Sequence, residues 1–297
     1  MNISPAALSL GIANFQAQAL NAIMNSGSDA RGNDTWDIMS QLLGSDSAST
    51  DPLAWLNNDS GSVKGLSPTG RNMALFDPES AYTMMSVINS RDVSYKAQFS
   101  ELSQMQSYVA QMQDAGQSLG SIALSTGNDG IRSQLQGFAD QYNGWIQRFD
   151  ADMQQGGLLA DTQAAQVSVY ELDQSIKNIF NGAKDGLHGL RDLGFSIDPN
   201  TRLASLDSAK LDAVLASNKQ GAVDTIQDFS ANFAKSASLL NADNNFIPRQ
   251  LANLNGAIHY MADNNADLQL EFGTGDPAKP TGQVAQALAV YKQTYGT

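Results

Sequence analysis

Apolar and polar positions along this chain fall mostly into helical stripes. In residues 5–25, Leu8, Ile12, Phe15, Leu20, Ile23 and Met24 recur near one face, which predicts an amphipathic helix. The stripe then breaks up. From Ser26 to about Leu75, Ser, Asp, Asn and Gly dominate. The run "LLGSDSASTDPLAWLNNDSGSVKGLSPTGRN" has too few apolar side chains to offset the entropy of ordering it. Residues 1–76 are therefore read as a largely disordered segment, with "TWDIMSQLL" as a short helix inside it.

Periodicity returns at "FDPESAY". Asp77 is placed to cap a helix, and Pro78 suits the first helical position, where its missing N–H costs nothing. The predicted helix runs to about Ile122. Ile88, Tyr95, Leu102 and Val109 recur every seven residues, with Met85, Phe99, Met105, Met112 and Leu119 beside them. A sustained seven-residue repeat is a coiled-coil signature, here with a soft seam rich in Met and aromatic side chains. Two uses of that seam stay open: packing inside the chain, or contact between subunits. A short turn at Ser125–Asp129 forces the next helix antiparallel, with Ile131, Leu135, Phe138, Tyr142, Trp145, Ile146 and Phe149 on its apolar face. Gly156 and Gly157 break it. A third helix over about 161–183 carries Val169, Leu172, Ile176, Ile179 and Phe180.

"LGFSIDPNTRLASLDSAKLDAVLASN" departs from helix. Phe195 and Ile197 alternate with polar residues, Pro199 sits in a turn, Asn200 follows where a positive φ is expected, and Leu203 opens the return strand. Two strands alone are marginal. The hairpin at 193–206, with Phe195, Ile197, Leu203 and Leu206 as its brace, must therefore lie on helices. Asp207 then caps a helix bearing Leu211, Val214 and Leu215. Helices over 221–240 and about 247–270 follow, the latter with Leu251, Leu254, Ile258 and Met261. "GTGDPAKPTG" is a loop before a last helix at 282–295. The expected fold is mainly α: a long antiparallel helical coiled-coil bundle with one small β-hairpin and short helix. Residues 77–272 form the stalk-like domain, and 273–297 a loop and C-terminal helix.

Composition narrows the function. Of 297 residues only 7% are aromatic and 16% charged, a thin core supply that suits long helices burying one stripe each. The net charge of -13 repels nucleic acid and anionic membranes, so neither is an expected partner. No run approaches the ~20 apolar residues of a membrane helix. No Lys or Arg precedes Arg31, so the start lacks the basic region of a secretory signal. With no cysteine, disulfide and thiolate chemistry are excluded.

Candidate chemistry is sparse. "GQSLG" matches the nucleophile-elbow pattern at Ser118, but that elbow needs a strand before it and a helix precedes it here. His188 and His259 have no metal-ligand spacing and read as structural or solvated. Asp263, Asn265 and Asp267 begin like a calcium loop, but Leu268 stands where Gly is required and Thr274 where the bidentate Glu belongs. Neither a catalytic site, a cofactor nor a metal is expected.

Several stretches resemble a known family. "GLLAD", "VYELDQSIKNIF" and "GLHGLRDLGFSIDPNTRLASLDSAKLDAVLASN" resemble in order the C-terminal half of the flagellar filament cap protein, also called hook-associated protein 2. "FADQYNGWIQRF" resembles the family's helix just upstream, at Phe138, Tyr142, Asn143 and Ile146, and "FIPRQLANLNGAIHYM" its C-terminal coil, at Arg249, Leu254 and Ile258. "MMSVINSRDVSYKAQFSELSQMQSYVAQMQ" looks like the N-terminal coil. The resemblance covers about 80–272. In the family, large β-rich domains separate the N-terminal coil from the C-terminal helices; here only residues 123–129 join them, so the chain looks like a reduced member without its head.

The resemblance implies a structural, non-enzymatic protein of the bacterial flagellum. It would be exported unfolded without a cleaved signal peptide and act outside the cell in filament assembly. Its expected partners are copies of itself and flagellin or other hook-associated proteins. Ile88, Tyr95, Leu102, Val109, Leu251, Leu254 and Ile258 are the candidate interface. The alternative is a cytoplasmic flagellar export chaperone or regulator that mimics the stalk; a helical translocator or adhesin of an injection-type secretion system is a third reading. The stripe at Leu8–Met24 could serve export, bind a partner or pack internally.

Overall fold

A computed structural model describes residues 65–177 and 186–296. The expected helices at 5–25 and in "TWDIMSQLL", and the end of the helix expected to reach 183, lie outside those residues. The described chain is mainly helical with one two-stranded antiparallel sheet. Its helices are α1 (Pro78–Ser118), α2 (Asn128–Met153), α3 (Gln163–Lys177), α4 (Ser208–Ser217), α5 (Lys219–Leu240), α6 (Phe246–Asp263), α7 (Asn265–Phe272) and α8 (Gly282–Tyr295). Its strands are β1 (Phe195–Ile197) and β2 (Ala204–Leu206). The described residues divide into two compact units: 65–90 with 263–278, and 91–262 with 279–296.

The first unit is built from polar clamps. Asp77 accepts from the Ser80 N–H (3.1 Å) and hydroxyl (2.7 Å), capping α1 as its sequence position predicts. These bonds to the carboxylate, the Ser80 hydroxyl first, hold the Asp77 carboxyl below its ordinary range. Residues 65–76, which composition assigns to the disordered segment, form a turn closed by a bridge between Leu66 and Asn72. Gly70 makes that turn at φ +79°, and its carbonyl accepts from the Thr274 N–H at 2.9 Å. The Asn72 amide donates to the Leu270 carbonyl at 2.8 Å. The segment after α7 is pinned to one face of α1: Tyr82 donates to Asp276 (2.8 Å), the Asp276 N–H to the Ser86 hydroxyl (2.8 Å), and Asn89 to the Thr274 carbonyl (3.1 Å). Residues 82, 86 and 89 are four and three apart, so one helix face supplies the whole clamp.

The second unit has the hydrophobic core. α1 and α2 run antiparallel, as the short turn between them requires: Gln111 meets Gln141 (3.2 Å) and Glu101 meets Arg148 (2.6 Å). They do not make an isolated coiled coil. Leu102, Met105, Val109 and Met112 of α1 enter one core cluster with side chains of α2, α3, α5 and the hairpin, and α3 and α5 pack against each other. A stripe flanked by several helices is buried by all of them, so the heptad feeds a bundle core. Phe138 is the aromatic centre: its ring lies 5.8 Å from Phe195, 5.3 Å from Phe229 and 4.9 Å from Phe233, the last two edge-on. The helix expected over 247–270 is broken at Asn264 into α6 and α7. α8 packs through Tyr291 and Tyr295, whose rings lie 6.0 and 5.3 Å from Phe99.

Candidate functional site

The hairpin carries the expected brace residues Phe195, Ile197, Leu203 and Leu206. Phe195 faces Leu206, Ser196 faces Ser205, and Ile197 faces Ala204. Of the strand residues only Phe195 and Ala204 are buried, with Leu193 buried just before β1; Ile197, Leu203 and Leu206 are partly buried against the core cluster. Side-chain burial alone is thus modest, and a polar device completes the brace. In this register the Ala204 N–H and C=O point away from β1. Asn143 on α2 takes both: the Ala204 N–H donates to its Oδ1 (2.6 Å) and its Nδ2 donates to the Ala204 carbonyl (2.9 Å). One amide side chain therefore stands in for a third strand on an edge that would otherwise be open.

The turn is held at its other end. Asp198 Oδ1 accepts from the N–H groups of Asn200 (2.9 Å) and Thr201 (2.7 Å), which keeps its carboxyl below the ordinary range. The positive φ expected at Asn200 occurs at Arg202, at +59°. Non-glycine residues rarely adopt that conformation. Here the Arg202 N–H donates to the Asp198 carbonyl (2.8 Å), and its guanidinium is ion-paired with Asp150 on α2. Asp207 caps α4 through the Lys210 N–H, and Asn218 caps α5 through the Gly221 N–H.

The candidate interface residues lie mostly inside the chain. Ile88, Leu102, Val109, Leu254 and Ile258 are buried, and Tyr95 and Leu251 are partly buried against the core of the second unit. Contact between subunits through Leu102, Val109 or Leu254 would require those side chains to leave that core.

The chemistry-like motifs resolve into packing. Ser118 is exposed and its hydroxyl donates to the Asp114 carbonyl at 2.7 Å, a bond within its own helix. The glycines of "GQSLG" serve a close crossing with α5. A Cβ at Gly116 would overlap the Phe233 ring, one at Gly120 would stand 2.9 Å from the Ser230 hydroxyl, and Ser230 donates to the Gly116 carbonyl at 2.7 Å. Sequence reasoning saw the glycine spacing without its partner, because Phe233 and Ser230 come over a hundred residues later. His188 is exposed beside Asp192, and His259 is exposed with Nδ1 2.8 Å from the Asn255 carbonyl. Asp263 ends α6 while Asn265 and Asp267 lie in α7, so a helical backbone occupies the place of a calcium loop. Among the described residues no three His, Asp or Glu side chains gather to hold a metal, and no helix is long and apolar enough to cross a membrane.

One polar cluster was not anticipated. Arg148 on α2 reaches Glu101 (2.6 Å) and Gln104 (2.8 Å) on α1 and Asp152 (3.1 Å) one turn along α2. Its guanidinium lies 4.8 Å from the Phe149 ring centre. The Glu101 and Asp152 side chains are only 8% and 5% exposed. Burial pushes both carboxyls above their ordinary range, and Arg148 opposes that only in part. The i, i+4 spacing of Arg148 and Asp152 was legible in the sequence, but the third member sits on another helix.

Compared with protein-family models, curated proteins and solved structures, the chain has no match.

Proposed function

We propose that this chain is a structural, non-enzymatic component of the bacterial flagellum, akin to the stalk of the filament cap. It acts outside the cell in filament assembly, by helix-mediated association with copies of itself and with flagellin or other hook-associated proteins. One observation carries the reading. The stretches that resemble the cap family are apart in sequence yet meet in one place: Phe138 packs on Phe195, Asn143 holds Ala204, and Asp150 pairs with Arg202. A likeness made of segments that depend on one another is harder to produce by chance than the same number of matches scattered along helices.

Export in an unfolded state fits a chain without cysteine, which has no disulfide to form or break in transit. Association in this reading uses outward faces of the helices, since the heptad side chains are spent on the core.

The test is deletion of the gene, with filament length measured by electron microscopy and unpolymerised flagellin measured in the medium. Short or missing filaments with flagellin leaking out support action at the filament end or junction. Normal filaments and a clean medium reject that role and favour the cytoplasmic export chaperone. A reporter fused after residue 76 separates those two further: it leaves the cell only if the segment directs export.

A further inference from the structure

The interior of the second unit holds two carboxylates on a single guanidinium. Glu101 Oε2 sits on Arg148 Nη2 at 2.6 Å and Asp152 Oδ2 on Nη1 at 3.1 Å, and Gln104 Oε1 crowds the same Nη2 at 2.8 Å. Three acceptors thus converge on two nitrogens, and both carboxylates are more than nine-tenths buried. One arginine balances one carboxylate. The second is left as a net negative charge beside a like charge and largely screened from water, although Arg148 itself keeps 30% of its surface exposed, and such a charge is costly to bury. A proton on either carboxyl removes that charge.

We propose that Glu101 and Asp152 share one proton in the folded protein, which makes the clamp between α1 and α2 a joint that strengthens as the medium turns acidic. The ionisable groups facing the pair are Glu101 itself from α1 and Arg148 and Asp152 from α2; Gln104 is neutral, and the Phe149 ring walls the guanidinium. The two carboxyls titrate as a unit, as close carboxyl pairs do.

The direction follows from linkage. In the unfolded chain the carboxyls keep ordinary values of 4.5 and 3.8, while in the folded chain both are raised. The folded state therefore binds the proton more tightly, so the joint's contribution is fully present below the ordinary range and is lost as pH rises through the raised value. This is the reverse of an ordinary ion-paired carboxylate, which loses its contribution in acid.

The test uses urea unfolding of the full chain between pH 3.5, below the ordinary Glu value of 4.5, and pH 8. Acid also relieves general repulsion in a chain of net charge -13, and Glu271, raised by burial alone, adds an effect of the same sign. The readout is therefore the ratio of folding equilibrium constants, Glu101→Gln over wild type. Gln keeps the shape and both hydrogen-bonding roles of a protonated Glu. The expected ratio is near one in acid and climbs towards pH 8, by about tenfold for each unit that the shared proton's pKa stands above the ordinary range. A ratio that stays flat overturns the proposal. Should Glu101→Gln fail to fold, side-chain carboxyl titration of the wild type by carbon NMR decides. Glu101 or Asp152 titrating above the ordinary range supports a shared proton, and both titrating at or below it refutes one.

Discussion

Replacing Asn143 by Ala isolates the device that holds the hairpin to the helices. The substitution deletes both bonds to Ala204, at 2.6 and 2.9 Å, while leaving the hairpin's own ladder intact. A neutral hydrogen bond contributes roughly 0.5–1.5 kcal/mol net, and a buried group left without a partner costs about 1–3 kcal/mol. Ala204 is 6% exposed, so water replaces the lost amide only partly. The expected loss is therefore about 2–4 kcal/mol in urea unfolding, accompanied by faster hydrogen exchange at the Ala204 amide. Asn143→Asp sharpens the test. Its carboxylate still accepts from the Ala204 N–H but faces the Ala204 carbonyl with another acceptor. The protonated acid can donate there, so its folded pKa is raised. The Asp variant should accordingly be weak at neutral pH and recover as pH falls through that raised value. A loss below about 0.5 kcal/mol for Asn143→Ala, with unchanged exchange at Ala204, would show that apolar contacts alone seat the hairpin and that the clamp reasoning is wrong.

Three further substitutions probe the second unit. Phe138→Ala removes the ring shared by β1, α2 and α5 and should cost about 3–5 kcal/mol by thermal or urea unfolding. Gly116→Ala drives a methyl into the Phe233 ring and should cost about 1–3 kcal/mol, although Ala favours helix over Gly; a stabilised variant would mean that the α1–α5 crossing is looser than described. Tyr142 is fully buried, burial pushes its phenol above the ordinary value, and no described residue bonds its hydroxyl. Tyr142→Phe should therefore fold within about 1 kcal/mol of wild type, and a larger loss would show that the hydroxyl is bonded.

Much of the local architecture was legible before any coordinates. Asp77, Asp207 and the glycines around α2 announce where helices start and stop, because caps and breaks depend on atoms three or four residues away. The alternation at Phe195 and Ile197 marks the hairpin for the same reason. The apolar stripes likewise state which faces must leave water. A stripe does not state what covers it, and the heptad from Ile88 to Val109 reads equally as a coil between subunits or as one wall of a core. Only the tertiary arrangement distinguishes them, by setting Leu102 and Val109 among side chains of α2, α3, α5 and the hairpin. The same limit hid the partners of Gly116, the role of Asn143 and the third member of the Glu101, Arg148 and Asp152 cluster. Each is a contact between elements far apart along the chain, whose spacing carries no period. Local chemistry therefore determined the elements, while long-range packing decided which apolar faces remain free and which charges must share the interior.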